Sequence, residues 1–144
     1  IKDYDPSIPE ISIDIYLIEQ SVLNLVKNAK ESLEEGEVFS PEIRIVTRVL
    51  RQEFLGQTQH KTVCSISVRD NGPGIPKDLK DSIFFPMISS KATGSGLGLS
   101  ITQGIISQHN GIIKCKSEPG KTEFSILIPI KHQVHDQESR RANA

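Results

Sequence analysis

Lys61-Thr62-Val63-Cys64-Ser65-Ile66-Ser67-Val68-Arg69-Asp70-Asn71-Gly72-Pro73-Gly74 is the stretch on which the fold turns. Its first ten residues are rich in β-branched types, and Cys64, Ile66 and Val68 alternate with Ser65, Ser67 and Arg69. Successive side chains of a strand point to opposite faces, so the pattern predicts a strand over Lys61–Asp70 with one face buried and the other wet. Asp70 falls in phase with the buried face, at the point where glycine and proline end the strand. A carboxylate there is an acceptor for an exocyclic amine, and the glycines let backbone approach a flat ring closely. The plainer reading is an ordinary Asp-Asn-Gly turn.

Upstream, Glu42 to Leu50 is a second β-branched run, and the polar stretch Arg51 to His60 between the two predicts a long hairpin loop. Further back, Asp14 is placed to cap a helix with Ile15, Ile18, Val22, Leu25, Ala29 and Leu33 at a 3.6 period, ending near Gly36. A short strand is expected at Ile1 to Tyr4. Downstream, Asn71 to Ser95 reads as a loop-rich region with a short helix from Lys77 to Ile83. A second long helix starts near Leu97, with Leu97, Ile101 and Ile105 on one face, and stops at Asn110-Gly111. Two strands, Ile112 to Ser117 and Thr122 to Ile130, flank a turn at Glu118-Pro119-Gly120-Lys121. Thr122 is in phase with Phe124, Ile126 and Ile128. This order cannot make an alternating parallel sheet. It predicts an α/β two-layer sandwich, helices packed on one face of a mixed, mostly antiparallel sheet. Residues 1–130 form the expected domain, and the polar, aperiodic residues 131–144 a disordered tail.

A chain of 144 residues fits one domain. Its 17 Lys and Arg nearly cancel its 18 Asp and Glu, so no bulk field drives it onto nucleic acid or an anionic membrane. An anionic ligand must be caught by local geometry. Cys64 and Cys115, without C-x-x-C spacing, read as small buried hydrophobes rather than a zinc site or disulfide framework. With no apolar run approaching the ~20 residues of a membrane span and no signal-peptide pattern at Ile1 to Pro9, a cytoplasmic domain is expected.

Two further groups of residues carry chemistry. Asn24 and Asn28, four apart, stack on one side of the first helix, on the lip of the core. An amide oxygen offered from a rigid helix suits Mg²⁺, which keeps several waters and contacts phosphates; a solvated polar pair is the plainer reading. Gly94-Ser95-Gly96-Leu97-Gly98-Leu99 leads directly into a helix, where free amides attract phosphate and glycine permits close approach. Alone this is weak, since it matches neither the P-loop nor the dinucleotide fingerprint.

Taken together, Asn24-x-x-x-Asn28-Ala29, Asp70-x-Gly72-x-Gly74, Phe84-Phe85-Pro86, Gly94-x-Gly96-x-Gly98 and Gly120-x-Thr122-x-Phe124 resemble the N, G1, F and G2 boxes and final strand of histidine-kinase catalytic domains, the Bergerat or GHKL ATP-binding fold. The match covers about residues 1 to 130. Asp3-Tyr4-Asp5-Pro6, Asp70 to Pro76, Phe85-Pro86-Met87 and the short lid look most like the nitrogen-regulation branch. The resemblance implies ATP and Mg²⁺ as cofactors, with Asn28 ligating the metal, Asn24 near the polyphosphate, Asp70 bonding the adenine amine and Thr122 supporting Asp70 through a water. It implies that Gly72, Gly74, Gly94, Gly96, Gly98 and Leu99 shape the pocket and lid, and that Lys91 neutralises phosphate charge. Lys91 reads equally as a solvated surface lysine. Where many members place a Lys three residues after the metal-binding Asn, this chain has Glu31, which leaves more to Lys91 or Lys27.

One of Phe84 and Phe85 is expected as a core plug and the other against phosphoacceptor helices. No phosphoacceptor motif is present, and His60, His109, His132 and His135 are scattered. The implied partners are the chain's own dimerisation and phosphoacceptor domain, an NtrC-like response regulator and a PII signal protein, with no nucleic acid or membrane partner. Related ATPases place a Glu four residues before the metal-binding Asn to activate water, and here that position is Asn24. Transfer to a histidine is therefore favoured over hydrolysis, and a nucleotide-binding module held by a regulator is the alternative of a different class.

Overall fold

The computed structural model describes residues 1–89 and 94–131. Its elements are β1 (Lys2–Asp3), α1 (Ile15–Glu35), β2 (Ile43–Leu55), β3 (Thr58–Asp70), α2 (Gly98–Gln108), β4 (Ile112–Glu118) and β5 (Lys121–Pro129). The strands form one sheet in the order β1-β2-β3-β5-β4, antiparallel except for the parallel β1–β2 pair. Both helices bury their apolar residues in one cluster with Val68, Phe124, Ile126 and Ile128 of the sheet, giving the expected two-layer α/β sandwich.

Helix α1 starts where the Asp14 carboxylate accepts hydrogen bonds from the Tyr16 and Leu17 N–H groups, both at 3.1 Å. Such a cap contributes about 1 kcal/mol. Gly36 closes the helix, its N–H bonded to the Ser32 carbonyl at 3.0 Å. Ile18, Leu25, Ala29 and Leu33 are buried as their period requires. Ile15 is not: it lies in the first turn, one turn short of the buried stripe, and is 66% exposed. The interior position between Ile18 and Leu25 belongs to Ser21, whose hydroxyl donates to the Leu17 carbonyl at 2.9 Å. A serine satisfied within its own helix can be buried without a lost hydrogen bond.

Three sequence expectations are corrected. The β2–β3 connection is no long loop, because the strands run on to Leu55 and Thr58 and turn over Gly56-Gln57, with Gly56 at φ +64°. Burial of Leu55 against Val63 and Leu127 holds the far end of this polar hairpin on the sheet. Residues 77–84 form consecutive turns rather than a helix; N–H groups of Leu79, Ser82 and Phe85 bond to carbonyls three residues back, of Pro76, Leu79 and Ser82. On α2 the buried residues are Thr102, Ile105 and Ile106, whereas Leu97 and Ile101 are exposed. The buried face is rotated toward α1, where Thr102 has a polar partner described below.

The outer face of β3 also departs from a simple wet surface. Ser65 and Ser67 are buried, Ser67 through a 2.8 Å hydroxyl contact with Ser125 and with Val46 opposite it on β2. Short side chains sit recessed between longer cross-strand neighbours, including the Arg69–Glu123 ion pair. Among the described residues no helix is long and apolar enough to cross a membrane. Residues 132–144, with His132 and His135, lie outside the described residues, as does Lys91.

Candidate functional site

Register fixes the floor of the site. Asp70 at the end of β3 is directly opposite Thr122 of β5, and Thr122 is directly opposite Ser117 of β4. All three are buried. Asp70 Oδ1 accepts the Gly72 N–H at 2.9 Å, which folds the strand end into a tight loop. A Cβ at Gly72 would stand 2.8 Å from that same oxygen and 3.0 Å from Ser32 Oγ of α1, so only glycine fits between carboxylate and helix. The loop is anchored further by Asn71, which accepts from Glu42 N–H and donates to the Ser40 carbonyl, both at 2.8 Å. Gly74 packs on the Glu118 backbone, and the β4–β5 turn is tied on by the Gly120 N–H to the Gly72 carbonyl at 2.8 Å.

One wall is the face of α1 that carries Asn24, Asn28 and Ser32, four residues apart in each step. Ser32 touches the Asp70–Gly72 loop at one end, and Asn24 Nδ2 donates to Thr102 Oγ1 of α2 at 3.3 Å at the other. Eight residues of helix rise about 12 Å, so the half-buried Asn28 stands midway between the glycine-led helix and the buried carboxylate. Just before α2, two segments are bonded together: Met87 N–H donates to the Gly96 carbonyl at 3.0 Å. Gly96 has φ +70°, and a Cβ there would meet Met87 backbone at 2.7 Å, so a side chain at this position is excluded twice. Gly98 opens α2 with nothing within 4 Å of its Cβ position. Leu99 is half-buried against the main core, and Gly94 is exposed.

Of the aromatic pair, Phe84 is the core plug, edge-on to Phe124 with ring centroids 6.3 Å apart, and Phe85 is 62% exposed. Lys27 pairs with Glu31 at 3.8 Å on the solvent side of α1, which compensates its charge locally. His109 ends α2, where its Nε2 accepts the Asp14 N–H at 3.0 Å and its Nδ1 meets the Ile105 carbonyl at 2.8 Å. Both ring nitrogens are thereby occupied in holding the helices.

Sequence reasoning missed Ser117, Lys80 and Thr102. Ser117 Oγ contacts Thr122 Oγ1 at 3.0 Å and accepts the Ile75 N–H at 2.8 Å, while Lys80 Nζ donates to the Ser117 carbonyl at 2.6 Å. A two-residue Pro119-Gly120 turn pairs Glu118 with Lys121 and Ser117 with Thr122, so the position of Ser117 could have been read from the turn. Burial is the first cause that pushes the Cys115 thiol up to about 11, with Lys80 opposing and Asp70 reinforcing it. Two other concavities, of about 610 and 540 Å³, lie at the hairpin end of the sheet and beside the end of α1. Neither is lined by Asn24, Asn28, Asp70 or Thr122.

The donor set fits a magnesium ion that arrives with its ligand. Asn24 and Asn28 offer neutral amide oxygens, and among the described residues no cluster of three His, Cys, Asp or Glu exists to hold a cation unaided. Mg²⁺ bound by phosphates and waters needs only one or two such protein oxygens.

Residues 13–132 match the family model of histidine kinase-, DNA gyrase B- and HSP90-like ATPases. The sensory histidine kinase/phosphatase NtrB of Vibrio alginolyticus is 46% identical over 129 residues, 90% of this chain and 36% of that protein. NtrB of Salmonella typhimurium is 47% identical over 132 residues, 91% of this chain and 37% of that protein. The chain thus spans about a third of the length of these relatives. Among solved structures, the nucleotide-free catalytic domain of histidine kinase ThkA superposes with a TM-score of 0.70 at 30% identity, covering 90% of this chain and 76% of that one. Full-length ShkA, crystallised with AMPPNP, shares the fold with a TM-score of 0.71 at 23% identity, over 90% of this chain and 25% of that one. With its buried Asp70, its asparagine-bearing α1 and the glycine-led α2 in this arrangement, the chain belongs to the histidine kinase-, DNA gyrase B- and HSP90-like ATPase family, as a histidine-kinase catalytic domain.

Proposed function

We propose that this chain binds Mg-ATP and donates the γ-phosphate to a histidine on a separate dimerisation and phosphoacceptor domain. The observation that carries it is the α1 face on which Asn24, Asn28 and Ser32 run from α2 to the buried Asp70. The adenine amine is assigned to Asp70, supported by Thr122. The polyphosphate is assigned to Asn24, Asn28 and the amides of the Gly94, Gly96 and Gly98 loop, with Lys91 as counter-charge and Gly74 and Leu99 lining the pocket. Mg²⁺ is held by Asn28 and supplies charge neutralisation on the phosphates when bound. Phosphoryl transfer asks the protein mainly for positioning and electrostatics, which these groups provide.

Asn24 occupies the place of a water-activating carboxylate, and its amide is engaged with Thr102, so no general base is available there. Transfer to an imidazole nucleophile is favoured over hydrolysis. Exposed Phe85 is assigned to the contact with the phosphoacceptor helices. By likeness to NtrB the setting is a cytoplasmic two-component system of nitrogen regulation, with an NtrC-like response regulator and a PII signal protein as partners. The test supplies the phosphoacceptor domain in trans with γ-labelled ATP. Acid-labile label on that domain, with little phosphate released by this chain alone, is the expected result. Rapid phosphate release without label transfer moves the chain to the ATPase side of its family.

A further inference from the structure

Phe39, on the connection between α1 and β2, is fully exposed, more so than any other large apolar side chain among the described residues. The loop beneath it is tied at both ends. Val38 N–H bonds to the Leu33 carbonyl at 3.3 Å, and on the far side Asn71 holds the Ser40 carbonyl and the Glu42 N–H, both at 2.8 Å. Beside Phe39 opens the concavity of about 540 Å³, whose apolar wall is Leu33, Val38, Pro41 and Ile43. A projecting ring and an apolar recess thus lie side by side on one patch, and the ring does not fill the recess. The rim carries both signs of charge, Lys30 with Glu34 and Glu37. Lys30 pairs with Glu34 at 3.6 Å with both side chains largely in water, a contact worth little where it stands, and Glu37 has no ion pair among the described residues.

We propose that this patch is a self-association surface, on which Phe39 of one copy enters the recess of a second copy and the recess receives that copy's ring in return. A two-fold contact brings the same patch of both subunits together, so the patch must be its own complement. Here it holds each half of what is needed, ring and recess, cation and carboxylates. A partner of strong single charge would leave one sign of the rim unmatched, whereas a second copy turned about the axis offers carboxylates to Lys30 and Lys30 to carboxylates. An aromatic side chain buries about 150–250 Å². Two rings together with the recess walls reach roughly 1,000 Å², the low end of specific interfaces, so the contact is weak and reversible. Because Asn71 and the Leu33 carbonyl fix the loop beforehand, little ordering cost opposes it. The inference is independent of the nucleotide-binding function proposed above.

The experiment follows the mass of the whole chain by analytical sedimentation from micromolar to millimolar concentration. The apparent mass is expected to rise toward that of a dimer, and Phe39→Ser to weaken the association at least about tenfold. Since Phe39 is fully exposed, the substitution should leave the melting temperature unchanged. Lys30→Glu makes the rim wholly acidic on both copies and is expected to weaken association about threefold to tenfold, less so in high salt. Adding Glu37→Lys, which returns a cation to the rim, should restore it. A chain that stays monomeric throughout overturns the proposal and leaves the patch to a different partner. Association that Phe39→Ser leaves unchanged overturns it as well. Should Phe39→Ser not fold, the charge variants decide: association that Lys30→Glu does not weaken places the contact elsewhere on the molecule.

Discussion

Asn24 Nδ2 donates to Thr102 Oγ1 at 3.3 Å, and Thr102 is fully buried. The bond spans 78 residues of sequence and joins α1, which carries the asparagines, to α2, which follows the glycine loop. It also orients the amide: with the nitrogen turned to Thr102, the oxygen is turned away from α2 and available to a cation or a water.

Thr102→Val keeps the volume and removes the hydroxyl. Mg-ATP affinity measured by calorimetry is expected to fall about threefold to tenfold, the worth of one neutral hydrogen bond. Thr102→Ser, which keeps the hydroxyl, should stay within about twofold of the unsubstituted chain. Equal behaviour of the two variants would mean that the hydroxyl does not orient Asn24.

Asp70→Asn separates the carboxylate's two jobs. An asparagine still offers an oxygen to the Gly72 N–H, now bonded at 2.9 Å, so thermal stability should change by little. What disappears is the charged acceptor for an amine, and ATP affinity should drop about tenfold to hundredfold. Unaltered affinity in a folded variant would remove Asp70 from base recognition.

Much of this was legible in the sequence because period and punctuation dominate locally. The α1 stripe, the Asp14 cap, the phase of Asp70 with the core and the two-residue turn at Pro119-Gly120 each follow from spacing alone. What failed were features decided between elements. Residues 51–60 look like a loop until Leu55 meets Val63 and Leu127, and α2 looks as though it should bury Leu97 and Ile101 until Thr102 finds Asn24. Polar residues in the interior are the common thread: Ser117 and Thr102 are buried because a specific partner on another element satisfies them, and that partner is not visible one element at a time.

Cys115 gives a prediction in pH. Its thiol is pushed from 9.0 to about 11, chiefly by burial, so the folded chain disfavours the thiolate that the unfolded chain forms freely. The stabilisation is full below pH about 9 and is lost as pH rises through about 11. Cys115→Ala should therefore flatten the fall in melting temperature across that window. In the folded chain at pH 8, alkylation of Cys115 by iodoacetamide should run about a hundredfold slower than that of a free thiol, because thiolate is the reactive form.

Gly96, just before α2, and Gly98, its first residue, should respond to the same substitution in opposite ways. Gly96 sits at φ +70° with Met87 backbone 2.7 Å from a Cβ position, so Gly96→Ala must break the bond between Met87 N–H and the Gly96 carbonyl or distort both segments. A loss of about 1–3 kcal/mol in stability is expected from strain at such a site. Gly98 is helical and has open space where a Cβ would stand, so Gly98→Ala should raise stability by about 0.5–1 kcal/mol. If that space is where phosphate reaches the first amides of α2, the more stable variant should bind Mg-ATP less well while keeping its affinity for adenosine. Chemical denaturation and parallel titrations with ATP and adenosine read the two effects separately. A Gly98→Ala chain that is both more stable and undiminished in ATP affinity would place the polyphosphate away from the start of α2.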